Sequence, residues 1–105
     1  MVKADKFREF ALGYEHSTEQ PHFEKESFRI NKKIFATLDR KTNRATLKLA
    51  EVEQSVFVSY DKTVFYPANG AWGKQGWTIV ELEKVSLKMI KEALEKAYNH
   101  VISKK

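Results

Sequence analysis

The sequence predicts one α+β domain in which N-terminal and C-terminal helices pack against an antiparallel sheet. Three observations carry this reading. Segments near the two ends place apolar residues at helical spacing, the segments between them alternate apolar and polar residues, and turn-forming residues separate the alternating runs. With 105 residues, 42% of them hydrophobic and 31% charged, and with only four Gly and two Pro, the chain has the length and composition of a single domain over residues 1–105.

From Asp5 to Gly13, Phe7, Phe10, Ala11 and Tyr14 recur at helical spacing, and Gly13 is placed to end the helix. The polar stretch from Glu15 to Pro21 reads as a loop, because Pro21 pushes Gln20 out of helical geometry. Ser27–Ile30, Lys33–Asp39 and Arg44–Leu49 then alternate as strands, with turns at Asn31-Lys32 and Arg40–Asn43, which makes an antiparallel meander. Ala50–Tyr60 fits either period. Helix is preferred, since Glu51 and Glu53 stand at the positive end of a helix dipole. Val64–Tyr66 reads as a short strand closed by Pro67, and Asn69–Gly76, with three of the four glycines, as a turn. Trp77–Leu82 alternates again. The last helix carries a stripe of Leu87, Ile90, Leu94, Ala97, Tyr98 and Val101, with Ser86 as cap and Val85 as staple against Ile90. Ser103-Lys104-Lys105 is expected to fray.

The charge of the chain is local in sequence. Between Lys25 and Lys48 eight basic residues face only Glu26 and Asp39, and that excess alone exceeds the net +5 of the whole chain. Strand alternation divides the segment into two faces. Phe28, Ile30, Ile34, Ala36, Leu38, Ala45, Leu47 and Leu49 are assigned to the core. Ser27, Arg29, Lys33, Phe35, Thr37, Asp39, Arg44, Thr46 and Lys48 fall on the opposite face, a cationic stripe around one aromatic ring.

Five blocks occur in an order and spacing that resemble the MmcQ/YjbR family of small bacterial proteins. They are Pro21-His22-Phe23, Ser27–Ile30, Lys33–Leu38, Ala45–Leu49 and Trp72–Thr78. The resemblance implies an α+β fold of CyaY (frataxin-like) topology, described as a double-wing DNA-binding arrangement, and it brings no catalytic residue set. Its matching positions, Phe28, Ile34, Phe35, Leu47 and Gly76-Trp77, are fold markers. The Glu51–Ser59 block departs from the family's Ala/Leu-rich helix by carrying Val56-Phe57-Val58.

These readings converge on a non-catalytic binding module with DNA as the leading partner. Arg29, Lys33, Arg44 and Lys48 would meet phosphates and Phe35 would stack on a base, Arg40, Lys41 and Arg44 would form a wing at a hairpin tip, and Lys74 would sit in a second, glycine-rich wing. The alternative is a protein-interaction or small-ligand domain whose basic surface serves solubility. For Gly70–Gly76 a structural turn is favoured over an anion nest, since its spacing matches no phosphate-binding motif and Trp72 and Trp77 mark a loop folded on the core. His16 and His22 lie near Glu15 and Glu19, but no element sets them on one face, so no metal or cofactor is expected. Iron handling, which a frataxin-like topology suggests, needs clustered carboxylates, and the first helix offers only Asp5 and Glu9 among Lys3, Lys6 and Arg8. There is no cysteine, no Ser/His/Asp elbow and no paired acid, so no enzyme is expected. Without a secretory or membrane-spanning apolar stretch, the protein is expected to be soluble and cytoplasmic. A monomer is expected, with Val64–Tyr66 as the edge through which a homodimer would form.

Overall fold

The computed structural model describes residues 1–103; Lys104 and Lys105, expected to fray, lie outside the described residues. The elements are α1 (Ala4–Leu12), β1 (Thr18–His22), β2 (Lys25–Ile30), β3 (Lys33–Asp39), β4 (Arg44–Lys48), α2 (Glu51–Tyr60), β5 (Phe65–Pro67), α3 (Ala71–Lys74), β6 (Trp77–Glu81) and α4 (Leu87–Ser103). Six strands form one antiparallel sheet in the order β1-β2-β3-β4-β6-β5. Helix α4 lies across β3 and β4, α1 packs on α4 and β3, and α2 packs on β5. This is the α+β, CyaY-like double-wing topology that the resemblance implies.

Two expectations for the local structure are corrected. Thr18–His22 is a strand rather than part of a loop: its pairing with β2 is regular from Thr18↔Arg29 to His22↔Lys25, although its residues are polar and include Pro21. The Asn69–Gly76 turn contains the one-turn helix α3. Both prolines of the chain lie in the two edge strands, Pro21 in β1 and Pro67 in β5. A proline removes an N–H from the open edge, which blunts both edges against pairing with another chain.

The largest correction concerns β3. Its register with β2 passes from Phe28↔Ala36 to Arg29↔Ile34, so Phe35 has no partner on β2 and the strand bulges there. Strict alternation fails at that point. Phe35 and Ala36 are both fully buried, while Ile34 is turned to the opposite face and only half-buried. Phe35 therefore belongs to the core and Ile34 does not, the reverse of what alternation assigns.

Phe35 is the ring on which the helices close. The Tyr14 ring, just beyond α1, and the Tyr98 ring of α4 stack at 4.6 Å, and each meets Phe35 edge-on, at 6.2 and 5.8 Å. The Tyr98 hydroxyl donates to the Glu15 carbonyl at 2.9 Å, fixing the end of α1 to α4. A second contact joins Phe7 of α1 edge-on to Phe28 of β2 at 6.0 Å, and a third joins Phe57 of α2 to Phe65 of β5 at 5.0 Å. Aromatic pairs in these geometries add to what their area burial contributes. Ile90, Ala93, Leu94, Ala97 and Val101 form the buried stripe of α4, whereas Leu87, expected in it, is 46% exposed. Ser86 caps the helix as expected, its Oγ accepting from the Met89 amide.

Phe35→Ala should cost about 3–5 kcal/mol in urea unfolding, the range for a large aromatic removed from a packed core. Ile34→Ala should cost about 1 kcal/mol. The opposite ranking of the two variants would contradict the bulge.

Candidate nucleic-acid interface

Helices α1, α2 and α4 cover one face of the sheet. Over the other, among the described residues, only the short α3 reaches in from the β5–β6 edge. On this outer face the cross-strand partners Ser27, Thr37, Thr46, Ile79 and Tyr66 form one row, with Arg29 beside Ile34 and Lys48 beside Trp77. A groove of about 390 Å³ runs over this face, with Ile34, Thr46 and Ile79 along it, Trp72 and Trp77 on one side and His22 and Lys25 on the other.

The loop that carries Trp72 is held firmly. A side chain at Gly76, where φ is +103°, would place its Cβ 2.0 Å from the Leu49 carbonyl oxygen, and one at Gly73 would lie 2.1 Å from that of Ala68. Only glycine permits these backbone approaches. Gln54 of α2 adds a clamp, its amide donating to the carbonyl of Gly73 and to the Thr78 hydroxyl at 3.0 and 3.1 Å. The segment is a structural turn, as favoured, yet Trp72 is not folded onto the core: it stands 63% exposed at the side of the groove.

The cations expected to share one stripe are dispersed. Arg29 is on the outer face and donates to the Ser27 hydroxyl at 3.0 Å. Lys48 is there too, its ammonium 5.6 Å from the Trp77 ring centroid and bonded to the Gln75 carbonyl. Lys33 lies on the helix side, beside His16 and Tyr98, since it pairs with the core residue Ile30. Phe35, buried beneath Tyr14 and Tyr98, is unavailable to any base. Arg40 is held by Glu26 and by Asp5 of α1, both at 2.7 Å, and these two carboxylates raise its pKa. Lys41 makes a looser exposed pair with Glu24 at 3.4 Å. Arg44 is 2.8 Å from Glu81, and Lys74 is exposed on α3.

Alternation gives Lys25 no face, because the sequence pattern begins the strand at Ser27. The structure starts β2 at Lys25 and sets its side chain along the groove. Among the described residues, Lys25 and Lys74 have no carboxylate within ion-pair distance, and Arg29 bonds a hydroxyl rather than an acid. Lys25 and Arg29 keep their charge available to the outer face.

Two of the carboxylates paired with arginine, Glu81 and Glu19, are shifted by those partners. Glu81 accepts from the Tyr66 hydroxyl and from Arg44, and both hold its carboxyl below the usual carboxylate range. The hydrogen bond from Arg8 does the same for Glu19. A carboxylate whose pKa is lower folded than unfolded stabilises the fold above its unfolded value, and that contribution disappears as pH falls through the folded value.

The sequence between residues 12 and 100 matches the YjbR family model. The crystal structure of Deinococcus radiodurans protein DR2400, which contains a DUF419 domain, superposes with a TM-score of 0.86 at 22% identity, over 99% of this chain and 81% of that one. No curated protein matches the sequence. Among the described residues no helix is long and apolar enough to cross a membrane.

Urea stability should hold level from pH 7 to about 5 and fall below about 4.5, where carboxylates in unfolded chains begin to take up protons. Replacing Glu19 and Glu81 together by Gln should flatten that acid slope. An unchanged slope in the double variant would show that the two pairs contribute nothing to the acid response.

Proposed function

The chain belongs to the YjbR family, a family of non-catalytic domains, and we propose that this binding module takes DNA on the outer face of its sheet. The observation that carries the proposal is a sheet face left open by the helices and carrying Lys25, Arg29 and Lys48, with Lys74 exposed on α3. Cations on neighbouring strands can meet successive phosphates, and each phosphate neutralised releases counterions. The β3–β4 tip flanks this surface. Lys41 exchanges its exposed carboxylate partner for phosphate at little cost, since such surface pairs contribute about 0–1 kcal/mol, while Arg44 stays anchored to the largely covered Glu81. Arg40, held by two acids from β2 and α1, acts as a strut between the hairpin and the helix layer.

One observation favours a protein partner instead. Val52, Val56 and Tyr60, at successive turns of α2, are 73%, 56% and 65% exposed, an apolar stripe on the opposite side of the molecule. Self-association in sedimentation that is lost on changing these residues to Ser, in a protein that binds no DNA, would shift the reading toward that helix.

Binding to mixed-sequence DNA, followed by fluorescence anisotropy across a salt series, should show a Kd of about 10⁻⁶ M at low salt and a steep loss of affinity with salt. Replacing Lys25, Arg29 and Lys48 by Ala should reduce the log–log salt slope by about 3, or roughly one per phosphate contact. The Arg40/Lys41/Arg44 triple variant should reduce it less. No detectable binding at low salt removes the proposal.

A further inference from the structure

We propose that the groove between Trp72, Trp77 and the β1–β2 tip is a stacking site for unpaired nucleobases, so that the protein prefers single-stranded to duplex DNA; this rests on the DNA-binding reading above. Trp72 is the first reason. Its indole is 63% exposed although Gly73, Gly76 and Gln54 hold its loop in place, so the exposure is built into the loop and does not come from slack. A rigid, exposed aromatic beside a cationic border is the arrangement that single-strand binding uses, because every base offers a π face whatever its identity.

Trp77 is the second. It lines the same groove, with the Lys48 ammonium 5.6 Å from its ring. That pairing sets a positive charge next to an aromatic face, where a stacked base would bring its own phosphate. Lys25 supplies charge from the far side of the groove. The volume, about 390 Å³, lies at the small end of ligand sites and suits bases rather than a folded partner.

The third reason is Phe23, which is 93% exposed at the tip between β1 and β2. His22 pairs with Lys25, so Phe23 and Glu24 form a two-residue hairpin loop in which Phe23 holds a φ of +60°. Glycine is the residue suited to that conformation, and a bulky side chain there is strained. The ring gains no burial in return; its contact is with the edge of His22, a groove-lining residue, at 4.8 Å. An aromatic kept strained and exposed beside the groove extends the stacking surface toward β1. Bases in a duplex already cover one another's faces, so the groove can use them only when they are unpaired.

Trp72 and Trp77 are the only tryptophans in the chain, so the intrinsic tryptophan emission of the protein reports on this groove alone. Titrating the full chain at low salt with a short oligothymidylate should quench that emission. A blunt duplex of matched charge should bind at least about tenfold more weakly, which corresponds to one stacked base. Trp72→Ala should lower single-strand affinity about tenfold, leaving the melting temperature and duplex affinity unchanged. Phe23→Gly should weaken single-strand binding several-fold while raising Tm by a few degrees, since it relieves the strained φ. Duplex binding as tight as single-strand binding, with no quenching, would overturn the stacking site and leave the DNA-binding reading standing. So would a Trp72→Ala variant that loses both forms equally. Failure to bind either nucleic acid would overturn both.

Discussion

The bulge at Phe35 decides what each face of the sheet becomes. One unpaired residue in β3 sends Phe35 and Ala36 into the core together and turns Ile34 to the other side. On the core side, Phe35 becomes the surface against which Tyr14 and Tyr98 meet, and those rings join the end of α1 to α4. On the outer side, Ile34 takes the position opposite Arg29 and adds an apolar surface to the groove. A single local irregularity thus closes the helix layer and shapes the candidate site, which is why bulges tend to occur where a side chain must be re-aimed.

Charge is redistributed in the same way by the fold. The basic segment has few acids of its own, but folding brings Asp5, Glu24 and Glu81 from other parts of the chain to Arg40, Lys41 and Arg44. Density of charge along a sequence is therefore a poor guide to potential in space. Among the described residues, Lys25 has no carboxylate within ion-pair distance, and it lines the groove that two tryptophans share. Positive charge alone would give only salt-dependent attachment; aromatic faces add a preference for the form of the nucleic acid.

Much of the fold was legible in the sequence. The helical stripe of α4, the acids that open α2, and the turn residues at Asn31-Lys32 each reflect local physics that tertiary contacts did not override. Strand β1 was not legible, because Thr18–His22 lies at an edge, buries little, and has neither alternation nor β-branched residues beyond Thr18 to mark it. Period-two reasoning could not foresee the bulge, since a sequence of alternating residues says nothing about an unpaired one, and the error passed directly to the site: Phe35 and Lys33 were assigned to the wrong face. Arg29 and Lys48, on strands whose own alternation is unbroken because the extra residue lies in β3, fall on the expected face. Trp72 escaped because tryptophans in glycine-rich loops are usually read as anchors, whereas here glycine contacts and Gln54 do the anchoring.

In the proposed division of labour, the helix-covered face holds the fold and the open face binds DNA. Mapping amide and indole N–H chemical shifts during a titration with single-stranded DNA tests it most directly. The largest changes should fall on Lys25, Arg29, Ile34, Thr46 and both tryptophan indoles, with Phe35, Tyr98 and α4 unmoved. Changes concentrated on α2 and α4, with the outer sheet face silent, would contradict it.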